Sequence, residues 1–248
     1  MWKYGFIVAS VVWSAVAPAQ DDAKQIIKRA LDNNRGKSSY TVAEMIVHRP
    51  DWERTSTIKV WTVGTDKSLV RIIAPAKDVG NGSLLLGDEM WQFNPKVNRV
   101  VKLPSSMAHQ SWMGSDFTNN DMARAEDLID KYDHKLISTE THDGKKVYII
   151  ESTPHEDAPV VWGKEVIKVR ADDIFLQQDF YDQQGKLIKS GIANQLKTIS
   201  GRTIAMTFRM QKKDAEDEWT EFRVKEAKFD LNIPDNYFTL ANLRNARD

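Results

Sequence analysis

The chain has 248 residues, 41% hydrophobic and 28% charged, and its 35 basic residues balance 35 acidic ones for a formal net charge of zero. Nothing in such a balance suggests nucleic acid or a polyanionic surface as partner. Cysteine is absent, which removes disulfides, thiolate metal sites, Cys nucleophiles and a lipidated N-terminal Cys, so the fold must rest on its core.

The first residues have the pattern of an export signal. Lys3 supplies a positive start, Gly5 to Val16 is almost wholly apolar, and Ala17-Pro18-Ala19 suits a small-residue cleavage site. The apolar run is short of the roughly 20 residues that span a bilayer. The expectation is a signal peptide over 1–19 and a mature, soluble, single domain over 20–248.

Asp21 and Asp22 precede Ala23, Ile26, Ile27, Ala30 and Leu31, which fall on one helical face. Asn33, Asn34 and Gly36 then stop the helix. After that the period changes to two. Segments 39–48, 54–63 and 67–74 read as strands, Gly80-Asn81-Gly82 as a turn, and 83–87, 89–94 and 99–103 as three short strands. Strands over 134–141 and 145–153 flank Asp143-Gly144, a two-residue hairpin signal. Five more follow at 163–171, 174–182, 186–196, 203–213 and 219–229, with the acidic run 214–218 as a solvated tip. Consecutive strands with short turns predict a mainly β, antiparallel, meandering sheet. The long interruption is Pro104 to about Asp130.

Within it, MAHQSWMGSDFTNND (107–121) carries Met107, Trp112, Met113 and Phe117 among Ser, Gly, Asn and Asp. Large apolar side chains in a polar loop need a covering surface. Trp61 adds to them, Trp91 and Phe93 share one strand face, and Met206, Phe208 and Met210 line another. The alternatives are an ordinary core and an apolar cavity; methionine in the cover suits irregular apolar partners.

Catalytic signals are absent. His48, His109, His134, His142 and His155 form no HExxH pair, and no GxSxG elbow or P-loop occurs. No metal or cofactor is expected. His134 and His142 are expected to face solvent near strand ends. Asp116, Asp121, Glu126, Asp127 and Asp130 read as capping and solvated acids.

Over LLLGDEMWQFNPKVNRVVKLPSSMAHQSWMGSDFTNND, and again at Ile233-Pro234-Asp235-Asn236-Tyr237-Phe238-Thr239, the sequence resembles the LolA-like group of outer-membrane lipoprotein-sorting proteins. The resemblance rests on Met90 to Pro95, Arg99, Lys102 and Met113 to Phe117. It implies a strongly curved antiparallel sheet, an incomplete barrel, with a helix and a loop lid closing its concave apolar side. It also implies a monomeric periplasmic carrier or chaperone for a lipid or lipidated protein, without catalysis. Its partners would be an inner-membrane lipid exporter or an outer-membrane acceptor. Trp61, Trp91, Phe93, Met107, Trp112, Met113, Phe117, Met206, Phe208 and Met210 are the expected cavity and lid residues, with Arg99 and Lys102 as charges at the mouth. Taking a ~14-carbon chain from a membrane requires about 11 kcal/mol, or some ~400 Å² of apolar burial at ~25 cal/mol per Å². Two other readings are open: an envelope sensor or adaptor that docks a membrane partner, with lipid as signal, and a hydrolase with carboxylates gathered under the loop.

Overall fold

The computed structural model describes residues 20–123, 127–158 and 160–245. The expected signal peptide and Glu126 lie outside them. The opening helix α1 spans Gln20–Arg35 and the strands begin with β1 (Ser38–Arg49), β2 (Trp52–Val63) and β3 (Lys67–Ala74). Next come β4 (Gly82–Leu86), β5 (Glu89–Asn94) and β6 (Arg99–Lys102). After a connection holding the short helices α2 (Asn119–Ala123) and α3 (Asp127–Asp130), the chain forms β7 (Tyr132–His142), β8 (Lys145–Pro154), β9 (Lys164–Arg170) and β10 (Ile174–Tyr181). It finishes with β11 (Leu187–Ile199), β12 (Arg202–Lys212), β13 (Trp219–Phe229) and a last helix α4 (Leu240–Arg244).

These strands form one 13-stranded antiparallel sheet in the order β6-β5-β4-β3-β2-β1-β13-β12-β11-β10-β9-β8-β7. It is two meanders joined by pairing β1 to β13, from Ser39 opposite Phe229 to His48 opposite Trp219. The sheet does not close, because β6 and β7 are its two edges. The expected incomplete barrel is therefore present. Register slips at Val42/Ala43, Thr57/Ile58, Leu136/Ser138 and Phe175/Gln177 add local bends. The Asp143-Gly144 hairpin forms with both residues left-handed, at φ 51° and 72°.

The topology also explains the long interruption. Since β6 and β7 are opposite edges, the connection between them has to travel across the whole sheet. It does so as a strap over the inner face. Leu103 N donates to Met90 O on β5 at 2.8 Å. Trp112 Nε1 donates to Ser83 Oγ on β4 at 3.1 Å, and Arg54 Nη2 of β2 donates to Met113 O at 2.5 Å. Asp116 then meets β1 and β13, and Asp121 meets β11.

Helix α1 covers the other half of the inner face. Ala23, Ile26, Ile27 and Ala30 are buried against Ile150, Ile167 and Val169, with Leu128 and Ile129 of α3 beside them. The helix starts at Gln20 and runs past Asn33 and Asn34 to end where Gly36 turns left-handed at φ 68°.

A third cover was not foreseen. The chain after β13 folds back over the outer face of β2–β5, where Ile233, Tyr237, Phe238 and Leu243 pack on Trp61, Leu69, Leu84, Trp91 and Phe93. Thr239 caps α4 by accepting from Asn242 N at 3.1 Å, and Arg71 donates to the Asn242 carbonyl. The sheet is thus buried on both faces at this end.

Candidate functional site

The strap is held at its middle by polar contacts. Arg49 Nη1 and Nη2 donate to Asp116 Oδ2 and Oδ1 at 3.0 and 3.1 Å. Thr220 Oγ1 donates to Asp116 Oδ2 at 2.7 Å and accepts from Asp116 N at 3.0 Å. The Asp116 side chain is fully buried, so the expectation of a solvated acid fails here: with a cation and a hydroxyl in place, the carboxylate keeps its hydrogen bonds without water. Asp121 does cap, since Thr118 N donates to Asp121 Oδ2 at 2.8 Å and Asp121 N to Thr118 Oγ1 at 3.0 Å. It also pairs with the buried Lys189 at 2.5 Å.

Beneath the strap, where the α1 core meets a second cluster around Phe117, Phe180 and Met210, lies a chamber of about 340 Å³. Its apolar wall includes Phe117, Met122, Phe180, Phe208, Met210 and Phe222. The Phe117 ring sits 5.0 Å from Phe222 and 6.0 Å from Phe208, centroid to centroid. Phe208 lies directly over Gly191, where a Cβ would come within 2.5 Å of its Cζ.

The same chamber has a polar side. Glu165, only 4% exposed, receives Tyr132 Oη–H at 2.7 Å and Gln178 Nε2–H at 2.5 Å. Burial pushes its carboxyl up to about 7; the bonds from Tyr132 and Gln178 oppose this, nearby Asp121 adds to it, and Lys189 counters it. Burial likewise raises the Tyr132 phenol, so it stays protonated. Lys189 lies against the faces of Phe180 and Trp162, at 4.7 and 5.1 Å. None of Glu165, Tyr132, Gln178 or Lys189 was singled out from the sequence. A signal existed: Glu165 has the same strand parity as Ile167 and Val169, whereas Lys164, Lys168 and Arg170 have the other.

The expected site residues separate into several groups. Phe117, Phe208 and Met210 line the chamber. Trp112 is 0% exposed and, with half-buried Met113, packs against Met45, Ile58, Val70, Ile72 and Met90 beside it. Met107 and Met113 border a second cleft of about 510 Å³ that also includes Arg54, Phe93 and Arg99. Trp61, Trp91 and Phe93 belong to the outer-face cluster under the C-terminal segment. Lys102 pairs with Glu89 and lies 5.7 Å over Trp91. Met206 is half-buried and is not among the residues lining the chamber.

His134 is a correction. It is 2% exposed and sits 2.8 Å from Ser152 Oγ, because its position on β7 faces the covered side of the sheet. His142 is exposed, as expected. Ser152 is itself fully buried, so this Ser–His contact reaches no cleft. No group of His, Asp and Glu that could hold a metal occurs among the described residues, and none of the described helices is long and apolar enough to cross a membrane.

An unclosed antiparallel sheet, with a helix and a strap over an apolar chamber, is a LolA-like fold. The fold matches an outer-membrane lipoprotein-sorting domain from Vibrio parahaemolyticus with a TM-score of 0.80 at 22% identity, covering 91% of this chain and 100% of that one. A DUF1329 family protein from Desulfovibrio piger matches at 0.82 and 26% identity over 90% and 98% of the two chains. A LolA superfamily protein from Nitrosomonas europaea matches at 0.73 and 24% identity over 88% and 98%. No curated protein sequence matches. A family model described as "Uncharacterized protein" matches residues 64–245, and the chain belongs to that family.

Proposed function

We propose that this protein is a periplasmic carrier that shields an acyl chain of a lipid or lipidated protein in the chamber beneath the strap, without catalysis. The observation that carries the reading is the chamber itself. An aromatic and methionine wall faces a space of about 340 Å³, at the small end of the ~300–1,000 Å³ typical of small-molecule sites. Its volume suits one slender chain. A multi-chain cargo requires the strap segment 117–123 to move away from Phe208 and Phe222. The fold it shares with lipoprotein-sorting domains supports the same class of cargo. The export pattern over residues 1–19 supports a periplasmic site of action for a single mature domain, exchanging cargo as a monomer between a membrane donor, such as a lipid exporter, and an outer-membrane acceptor.

Phe117, Phe208 and Met210 form the acyl contact in this reading. Met107, Met113 and Arg99 border the second cleft, where a bulkier part of the cargo would emerge. Trp112 and the Trp61–Trp91–Phe93 group act as scaffold. The test is native mass spectrometry of the mature protein isolated from periplasm without detergent, followed by organic extraction. An adduct that extracts as an acylated molecule, and is lost in Phe208→Ala, supports the carrier. An unliganded mass that persists after incubation with mixed lipids removes it.

A further inference from the structure

Resting on the carrier reading, we infer that the chamber selects amphiphiles whose polar group donates hydrogen bonds and carries no negative charge, an alcohol or amine over a carboxylate, with Glu165 and the side-chain oxygen of Asn120 as acceptors. Three observations point there. Glu165 lines the chamber and already takes one donor on each oxygen, Tyr132 Oη on Oε1 and Gln178 Nε2 on Oε2. A carboxylate oxygen accommodates about two donors, so the carboxylate is oriented by its protein partners and still has acceptor capacity. Asn120, on the strap, also lines the chamber, and its Oδ1 is buried with no hydrogen-bond partner among the described residues. A buried acceptor without a donor is unfavourable unless a ligand supplies one.

The charges around the chamber favour the same class. Asp121 lines it with Glu165, while Lys189, beside them, is paired with Asp121 and stacked on Phe180 and Trp162. From β7, Tyr132 contributes a hydroxyl already given to Glu165. Among the described residues, an incoming carboxylate would meet Glu165 and Asp121 with Lys189 already committed, and it could not donate to Asn120. An ammonium or hydroxyl meets acceptors on both sides. The burial that raises the Glu165 carboxyl also makes it sensitive to a cation placed beside it.

The test uses the full mature protein with three 12-carbon ligands, dodecylamine, dodecanol and dodecanoate, each displacing a bound fluorescent naphthylamine probe at pH 8. The amine and the alcohol are expected to bind at least tenfold more tightly than dodecanoate. Glu165→Gln keeps an acceptor for Tyr132 and is expected to narrow the amine–carboxylate gap at least fivefold, with circular dichroism reporting that the sheet is intact. The wild-type ranking stands as a measurement even if the variant fails to fold. Dodecanoate binding as tightly as dodecylamine, or a gap unchanged in Glu165→Gln, overturns the head-group inference and leaves the acyl carrier standing. Failure of all three ligands and the probe to bind overturns the carrier reading and this inference together.

Discussion

Arg49 on β1 and Asp116 in the strap are joined by a two-point ion pair, at 3.0 and 3.1 Å, whose carboxylate is fully buried. Along the chain, Asp116 lies between Met107 and Met113, which border the second cleft, and Phe117, which lines the chamber. It ties the middle of the strap to β1 and, through Thr220, to β13. Trp112, hydrogen-bonded to Ser83, reinforces the fixed point.

Asp116→Ala removes the carboxylate that accepts from both Arg49 terminal nitrogens and from the Thr220 hydroxyl. Breaking one side of a buried pair typically costs 3–5 kcal/mol, so urea denaturation should show a loss of about 3 kcal/mol or more. The double-mutant cycle with Arg49→Ala should give a coupling above ~1 kcal/mol. Additive single losses would show that the two side chains do not act together.

Trp112→Ala and Phe208→Ala should differ in kind. Trp112 is completely buried and does not itself line the chamber, so its removal should lower stability by about 3–5 kcal/mol and change affinity for an acyl probe far less than removal of Phe208. Phe208 is half-buried and lines the chamber. Its truncation should weaken probe binding by about tenfold, since ~1.4 kcal/mol of lost apolar contact corresponds to that ratio. Equal affinity losses in the two variants would sink the assignment of Trp112 to scaffold.

Glu165 gives stability a defined pH dependence. Its carboxyl lies at about 7 in the folded protein against an ordinary 4.5, so between those values the folded state holds more protons than the unfolded one. Stability contributed by the neutral acid is complete below about pH 4.5 and is lost as pH rises through about 7, a total of about 3 kcal/mol at ~1.4 kcal/mol per pH unit. Urea midpoints at pH 5 and pH 8 should therefore differ less in Glu165→Gln than in the wild type. His134 acts in the opposite sense: burial holds its imidazole below the ordinary 6.5, so its contribution falls away as the solution is acidified below that value.

Ending the chain after Asn232 removes Ile233, Tyr237, Phe238 and Leu243 from the outer face of β2–β5. The exposed Trp61, Leu69, Leu84, Trp91 and Phe93 then form a contiguous apolar patch, which marks an aggregation site. The truncated protein is expected in the insoluble fraction; a soluble monomer with native melting behaviour would show that the C-terminal segment is not part of the core.

Local patterning in the sequence determined the elements. The period-3.6 stripe from Ala23 to Leu31 and the alternating runs from Ser39 to Phe229 specify their helix and strands, because side-chain direction follows backbone period alone. Asp143-Gly144 specifies its hairpin because those residues tolerate left-handed backbone. The resemblance around Met90 to Phe117 pointed to the open sheet and its lid.

Which face each aromatic residue occupies was decided only by tertiary structure. Trp91 and Phe117 look alike as apolar residues, yet one packs under the C-terminal segment and the other lines the chamber. Period-two alternation says that two faces exist but not what covers them. Asp116 could not be read as a buried anchor until β1 and β13 brought Arg49 and Thr220 to it from positions 67 and 104 residues away. Glu165 likewise became a chamber residue only when β7, β10 and the strap closed around it. Burial and charge pairing are properties of neighbours distant in the chain, and those neighbours meet only when the sheet has formed.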